Sequence, residues 1–189
     1  MKRLRIAFAA VVAAVGVASC TSSGSPAHDS TTSSVANGEL PGSGSSSAAA
    51  GDSSTVLIDA ANLPITGLQL TSSHADANSV TGRYSNADHS SVVVDTVVLF
   101  PTASAAQGAE PSIEAAAADQ FDNAQVRGIT SGKVYRGASG ADALIVAVFA
   151  EGRAVVTLAI RSATLDAVSD AAVDMVVTSQ DQLIKTNVK

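Results

Sequence analysis

The single cysteine of this 189-residue chain, Cys20, is the residue whose position most clearly suggests chemistry. Three cations, Lys2, Arg3 and Arg5, precede an apolar run of about thirteen residues that ends just before it. A transmembrane helix takes ~20 residues, so this run is too short to span a bilayer. A basic start followed by a short apolar run is typical of a secretory signal. The sequence therefore predicts an exported chain with Cys20 directly behind its signal.

The residues around the cysteine, Val17-Ala18-Ser19-Cys20, resemble the lipobox of bacterial lipoproteins, with Val17 in place of the commoner leucine. The resemblance implies that residues 1–19 are removed as a signal peptide. It also implies that the Cys20 sulfur then carries a diacylglyceryl group with fatty acids such as palmitate. Each buried CH₂ contributes ~0.8 kcal/mol to membrane residence, so two or three chains make a stable anchor. The alternative is an ordinary signal peptide followed by a chance cysteine.

Processing at Cys20 changes the charge of the chain. The whole chain has a formal charge of −6, and loss of the three early cations leaves 8 Lys and Arg against 17 Asp and Glu, or −9. Such a body is repelled by nucleic acid and by anionic headgroups. The charge therefore excludes a nucleic-acid partner and leaves the lipid on Cys20 as the contact with the cytoplasmic membrane. One cysteine also excludes a disulfide scaffold.

The segment behind the cysteine, residues 20–54, is rich in Ser, Thr and Gly and has no hydrophobic period. Such a segment cannot bury enough apolar surface to offset the entropy of ordering. We interpret it as a flexible tether with an r.m.s. span of ~30–35 Å. A glycosylated stalk is an alternative for a Ser/Thr-rich tract. The remaining residues, 55–189, suit one domain.

The candidate metal ligands of the domain are two histidines and an acid, His74, His89 and Asp88. They lack the His-x₃-His or Cys-x₂-Cys spacing that places ligands on one wall. They would meet only if two polar turns shared one end of the sheet. A Ser–His–Asp triad would have to use the same histidines. Solvated turn histidines are the simpler interpretation, and we predict no metal.

The segment Gly128–Lys133 (GITSGK) superficially resembles a phosphate-binding loop. It has three residues between its glycines instead of four, and Val134 stands where a Ser or Thr would hold Mg²⁺. Thr130 at its centre also lacks the preceding strand that a nucleophile elbow requires. We therefore predict no nucleotide site, no cofactor and no enzymatic activity.

Two groups of like charge remain. The acidic group recurs at helical spacing, and we interpret it as a solvated helix face. The basic group either contacts an acidic partner or protects the edge of a sheet from pairing. The acidic residues are Asp166, Asp170 and Asp174, and the basic residues are Arg127, Lys133 and Arg136.

The pattern of apolar and β-branched residues predicts the main strands. Residues 91–100 (SVVVDTVVLF) are apolar on both faces, which indicates a central strand covered on both sides. Residues 143–150 form a buried strand, and Glu151-Gly152 is expected as the hairpin loop to residues 153–161. In the returning strand, four side chains should point inward: Ala154, Val156, Leu158 and Ile160.

Helices are predicted over residues 112–123, starting at Pro111 after a short piece at 103–109, and over residues 165–183. Thr164 is expected to cap the last helix, and Met175 to lie on its apolar stripe. The predicted order is three strands, a helix, three strands and a helix. Because hairpins dominate, we predict an α+β domain with a mainly antiparallel sheet and both helices on one face.

Composition adds a second resemblance. Alanine is abundant, Arg exceeds Lys by 7 to 4, and Asp exceeds Glu by 13 to 4. With the lipobox and tether, the chain resembles actinobacterial, mycobacterial-type envelope lipoproteins, and its element order is loosely similar to PsbP-like lipoproteins. The resemblance implies a non-enzymatic binding or accessory module in the cell envelope, with an envelope protein as partner. The alternative is a carrier or sensor of a lipid or small molecule.

Overall fold

The computed structural model describes residues 53–163 and 168–188. Two short 3₁₀ turns come first, and seven strands and two α-helices follow. The 3₁₀ turns are Ser53–Val56 and Ala60–Asn62; the strands are β1 (Gln69–Ala75), β2 (Ser79–Ser85), β3 (Ser91–Leu99), β4 (Asn123–Ile129), β5 (Gly132–Ser139), β6 (Asp142–Glu151) and β7 (Ala154–Ser162); and the helices are α1 (Ala103–Ala118) and α2 (Asp170–Asn187).

The strands form one sheet in the order β1-β2-β3-β7-β6-β5-β4, and every neighbouring pair is antiparallel. Strand β4 lies at the edge opposite β1, so the chain must cross the sheet between β3 and β4. Helix α1 makes that crossing and packs on β6, β7 and β5. The predicted α+β class, an antiparallel sheet with two helices packed on it, is confirmed.

The two helices lie on opposite faces of the sheet, so the prediction that both share one face is wrong. In β6, Ile145 and Phe149 belong to the core that includes α2, whereas Val146 and Val148 belong to the core that includes α1. Successive side chains of a strand point to opposite faces. Since both faces of β6 are apolar, each face needs its own cover.

Residues 56–68, here called the strap, cover the part of the sheet that α2 does not reach. They pack in one core with Val80 of β2 and with Val93 and Val97 of β3. The strap and α2 together cover one face from β2 to β5, here called the strap face, while β1 at its edge stays exposed. The buried side chains of the strap are Val56, Leu57, Ile58, Leu63 and Leu68.

The opposite face, the α1 face, is only half covered. On β3, Val94, Thr96 and Val98 point to this side and are partly exposed. Thr81 of β2 lies opposite Thr96, with 3.2 Å between the two hydroxyl oxygens. We call this part of the α1 face, over β2 and β3, the bare half. The prediction that β3 is covered on both sides is therefore wrong for one side.

Both helices differ from their predicted bounds. Helix α1 runs unbroken through Pro111, because Pro111 and Gln107 are exposed and water can solvate the carbonyl that the proline leaves unbonded. Helix α2 starts at Asp170 with Ser169 as its cap, not Thr164, which lies outside the described residues. The apolar stripe is also rotated, and Met175 is 63% exposed.

Two features of the strands were also mispredicted. Strand β4 was not expected, and it forms an edge hairpin with β5. The loop between β6 and β7 is shifted by one residue, because Glu151 pairs with Ala154 and Gly152 takes the first loop position. Gly152 has a φ of 55°, a conformation that suits glycine. The four inward residues predicted for β7 are confirmed as core of the strap face.

Candidate functional site

Three buried side chains hold the backbone of the strap. Asp95 of β3 accepts a hydrogen bond at Oδ2 from the amide of Ile58, at 3.0 Å. The Tyr84 hydroxyl of β2 donates to the carbonyl of Ile58. Gln180 of α2 donates from Nε2 to the carbonyl of Val56, at 2.7 Å. We call Asp95, Tyr84 and Gln180 the clamp, since side chains from three elements fix one short segment.

The clamp follows from the pleat and from one glycine. Asp95 lies between Val93 and Val97, and the two-residue period points it into the strap face with them. Gly82 pairs with Asp95 across β2 and β3. A Cβ at Gly82 would lie 3.0 Å from Cδ1 of Leu57 and 3.2 Å from the Tyr84 ring. The missing side chain therefore lets the strap close onto the sheet.

Burial shifts the titration of the clamp. Asp95 is 0% exposed, and burial raises the pKa of its carboxyl from the usual 3.8 to about 7, against the opposing effect of the hydrogen bond from Ile58. Burial also raises the pKa of the Tyr84 hydroxyl, and Asp95 adds to that shift. Oδ1 of Asp95 and Oε1 of Gln180 are buried without a hydrogen-bond partner among the described residues. The clamp thus contains an acid that favours its neutral form.

The turn between β4 and β5 separates two open grooves. The first, of about 430 Å³, lies between this turn and α2, and Phe149 and Val177 line it beside charged groups. The second, of about 450 Å³, lies on the α1 side and is lined by Gln107, Glu110 and Gly152. Both grooves include Ser131 of the turn. Both grooves are open to solvent, whereas small-ligand sites enclose most of the ligand surface.

The acidic and basic groups that the sequence suggested separately form ion pairs, and one of these pairs, Arg127 with Asp174, lines the first groove. Arg127 donates two hydrogen bonds to Asp174, at 2.8 and 3.3 Å. Arg136 lies 3.0 Å from Asp170. The two acids are about half exposed, as a solvated face requires, yet they neutralise the bases. The basic group is therefore satisfied within the protein, while Asp166 lies outside the described residues.

The third base, Lys133, pairs with Glu114 of α1 at 2.7 Å. Glu110, one helical turn before Glu114, has its pKa raised first by burial and then by the charge of Glu114. Lys133 and the amide of Ala150 oppose that shift. At this end of the sheet, the α1 face therefore has two carboxyl groups, those of Glu110 and Glu114, and one ammonium group, that of Lys133.

The segment Gly128–Lys133 is the β4–β5 hairpin and not a strand-to-helix loop. Ser131 has a φ of 71°, and its carbonyl accepts a hydrogen bond from the amide of Ala150, at 3.1 Å. A phosphate loop or nucleophile elbow needs a helix directly after the turn. Strand β5 starts at Gly132 instead, so the structure supports neither chemistry in this segment.

His74 lies in β1, opposite Thr81 near the start of β2, so the prediction that it lies in a turn is wrong. His89 lies in the turn after β2, so the two histidines are at opposite ends of that strand. His74 contacts Asp76 at 3.1 Å, and His89 contacts the Ser85 hydroxyl at 3.2 Å. Asp88 is bonded to Ser90 and not to the His89 ring, and those bonds lower its pKa. Within the described part of the chain, the Ser85–His89 pair therefore lacks the hydrogen-bonded orienting acid of a triad.

Within residues 53–163 and 168–188, no group of three His, Cys, Asp or Glu side chains is arranged to hold a metal ion. In the same ranges, no helix is long and apolar enough to cross a membrane. The predicted lipidation residue, Cys20, lies outside these ranges, and so do the signal and most of the tether.

Sequence reasoning missed the clamp as a site. Its signals were a single acid in the otherwise apolar strand β3 and a glutamine, Gln180, within the buried stripe of α2. A buried polar residue is more informative than an exposed apolar one.

No family model matches the chain, and no curated protein matches it. Among solved structures, the chain is similar to the extracellular domain of PknH from Mycobacterium tuberculosis, with a TM-score of 0.44 and 13% sequence identity. The match covers 57% of this chain and 64% of that domain.

Proposed function

We propose that this chain is a lipid-anchored extracytoplasmic lipoprotein, acylated on Cys20. In this proposal, residues 20–54 hold the folded domain away from the membrane. The domain acts as a non-enzymatic binding or accessory module of the cell envelope, with an envelope protein as its partner. Nucleic acid is not a partner, because the mature chain carries a formal charge of −9.

The clamp is the observation that best supports a tethered role for the domain. The strap starts at Val56, two residues after the proposed tether ends, and its first three residues are all buried. Side chains of β2, β3 and α2 hold its backbone. While the strap is closed, a pull on the tether is therefore spread over three elements.

The pairing of charges at the sheet end supports a non-enzymatic module. In the first groove, Arg127 is bonded to Asp174, and Lys185 is bonded to Asp181 at 2.6 Å. General acid–base catalysis needs a group held in reach of a proton that it transfers. Side chains that are bonded to each other give surface shape and solubility instead.

A carrier for an apolar ligand would need a cavity lined by apolar side chains. The two grooves described above are open and lined in large part by charged and hydroxyl side chains. Valine, leucine and alanine side chains form the cores on both faces of the sheet. These observations favour a surface-binding module over a carrier.

Detergent-phase partitioning tests the anchor. The wild-type chain and a Cys20→Ala variant are produced in an actinobacterial host, and membranes are extracted with a phase-separating detergent. Wild type should enter the detergent phase, and the variant should stay unprocessed or move to the aqueous phase. A fatty-acid label should be incorporated only by wild type.

Ser19→Ala is the matched control, because alanine is also small and Cys20 is kept. This variant should be labelled and partition as wild type does. If Cys20→Ala is processed and partitions like wild type, the lipoprotein proposal is wrong.

A separate experiment tests the domain as a binding module. Crosslinking in the native envelope should capture one recurrent envelope protein, and that capture should fail when the domain is unfolded by a core substitution.

A further inference from the structure

We propose that the strap is a proton-dependent latch, closed on β2 and β3 while Asp95 carries a proton and released by local unfolding when Asp95 ionises. This inference concerns the described domain alone and does not depend on the lipid anchor.

The geometry of Asp95 gives the latch its sensitivity. The carboxyl is fully buried, and its single hydrogen bond among the described residues comes from the amide of Ile58, which belongs to the strap itself. Its second oxygen has no partner among the described residues. A buried carboxylate needs several hydrogen bonds or a cation to offset the loss of water. Lifting the strap supplies that water, so ionisation favours the open form.

The groups that face Asp95 do not supply the missing cation. Its pairing partners across the sheet are Gly82 of β2 and Leu158 of β7. Tyr84 of β2 faces it with a neutral hydroxyl that is already bonded to the strap. Asp59 of the strap, which also acts on Tyr84, adds negative charge and not positive charge.

The helix above the strap is neutral at this point. Gln180 of α2 holds the carbonyl of Val56 through its nitrogen, and its own oxygen lacks a partner among the described residues. A closed strap therefore leaves two buried oxygens unbonded in the clamp, one on Asp95 and one on Gln180. Opening hydrates both, which lowers the free energy needed to lift the strap.

The strap can open without unfolding the sheet. It consists of a 3₁₀ turn and irregular chain, and apolar contacts and the clamp hold it in place. Local openings of this kind require less free energy than global unfolding. The pKa of the Asp95 carboxyl is about 7 in the closed form and near 3.8 in water. The equilibrium constant for opening should therefore rise about tenfold per pH unit between these two values and level off above about pH 7.

Hydrogen exchange on the mature chain, residues 20–189, tests the latch. Protection factors, corrected for the intrinsic pH dependence of exchange, are measured at pH 5 and pH 7 for peptides covering residues 53–68 and 142–151. The strap should be at least tenfold less protected than β6 at each pH. Its protection should fall by about 50-fold from pH 5 to pH 7, because about half of the closed form is already ionised at pH 7.

Three variants separate the latch from general loosening. Asp95→Asn should remove the pH dependence of strap protection. Tyr84→Phe, which loses the bond to Ile58, should lower strap protection at both pH values and keep the slope. Asp59→Asn, at an exposed acid, should leave the slope unchanged. The proposal is overturned if strap and β6 show equal protection, or if strap protection in wild type does not depend on pH. If Asp95→Asn does not fold, Tyr84→Phe still tests the proposal, because its strap protection should be lower than in wild type at both pH values and should keep the same dependence on pH.

Discussion

The two faces of the sheet are closed in different ways. The strap face is covered over β2, β3, β7, β6 and β5 by α2 and by the strap, while β1 is exposed along its length, and buried polar side chains fix the strap. The α1 face is covered only over β5, β6 and β7, and its bare half presents valine and threonine side chains to solvent. The comparison shows that a covering segment without regular structure needs directed hydrogen bonds, whereas a helix covers a face by apolar packing.

The charged groups follow the same division. On the strap face a carboxyl group, Asp95, is enclosed and favours its neutral form. On the α1 face the carboxyl of Glu114 is also buried, but it is neutralised by Lys133 at 2.7 Å. The strap face therefore gains stability that depends on protonation, and the α1 face keeps a surface available for contact.

The largest expected effect concerns the buried acid of the strap face. The folded state favours the neutral form of Asp95, so its contribution to stability is complete below pH 3.8 and is lost as the pH rises to about 7. Asp95→Asn should match wild type near pH 4 and exceed it at pH 8, by up to about 4 kcal/mol in the free energy of unfolding. Denaturant unfolding at both pH values measures this. A difference that stays constant with pH would contradict the assigned burial effect.

The next effect compares neighbouring valines on opposite faces of β3. Val93 is 0% exposed in the strap-face core, and Val94 is partly exposed in the bare half. Val93→Ala should lower the free energy of unfolding by about 2–3 kcal/mol, because it removes two buried carbons and leaves a cavity. Val94→Ala should lower it by less than about 1 kcal/mol. Equal losses in thermal or denaturant unfolding would mean that the bare half is covered.

A smaller effect is expected at the ion pair in the first groove. Arg127 and Asp174 are about 40–50% exposed, so solvent screens their attraction. A double-mutant cycle with Arg127→Met and Asp174→Asn should give a coupling free energy of about 0.5–1 kcal/mol that decreases in high salt. A coupling above about 2 kcal/mol would show that the pair is far more enclosed than the structure indicates.

The smallest effect is expected at the turn between the two grooves. Ser131 adopts a φ of 71°, which strains a residue with a side chain. Ser131→Gly should therefore raise the free energy of unfolding by about 0.5 kcal/mol, less than the full strain because glycine gains entropy in the unfolded chain. Thr130→Gly, at the neighbouring position without a positive φ, should lower it. Thermal melts of the two variants should move in opposite directions, and a shift in the same direction would contradict the strain.

The strands whose pattern of apolar residues is visible within one segment could be predicted from the sequence. A continuous apolar run identified β6, and alternation identified β7 and its inward residues, because both patterns are readable within one segment. Strand β4 was missed, since its exposed edge position leaves no clear alternation between buried and exposed residues. The face of the sheet on which each helix packs could not be predicted either, because it depends on where β4 joins the sheet and not on the helix sequence.

The site was less predictable than the fold, because its contacts join distant parts of the chain. Asp95 and Ile58 are 37 residues apart, and Gln180 and Val56 are 124 apart. Likewise, Arg127 and Asp174 were each recognised as charged, but their pairing spans 47 residues. Composition and spacing identify such residues one by one, and only the folded chain shows which of them meet.

The proposal that this domain is presented from a membrane by a lipid on Cys20 is tested most directly at the mature N-terminus. The protein is extracted from native membranes, digested, and its N-terminal peptide is weighed by mass spectrometry. The account predicts a peptide that starts at Cys20 and carries a diacylglyceryl group, with or without a further acyl chain on its amine. A peptide that starts elsewhere, or an unmodified Cys20, would contradict it.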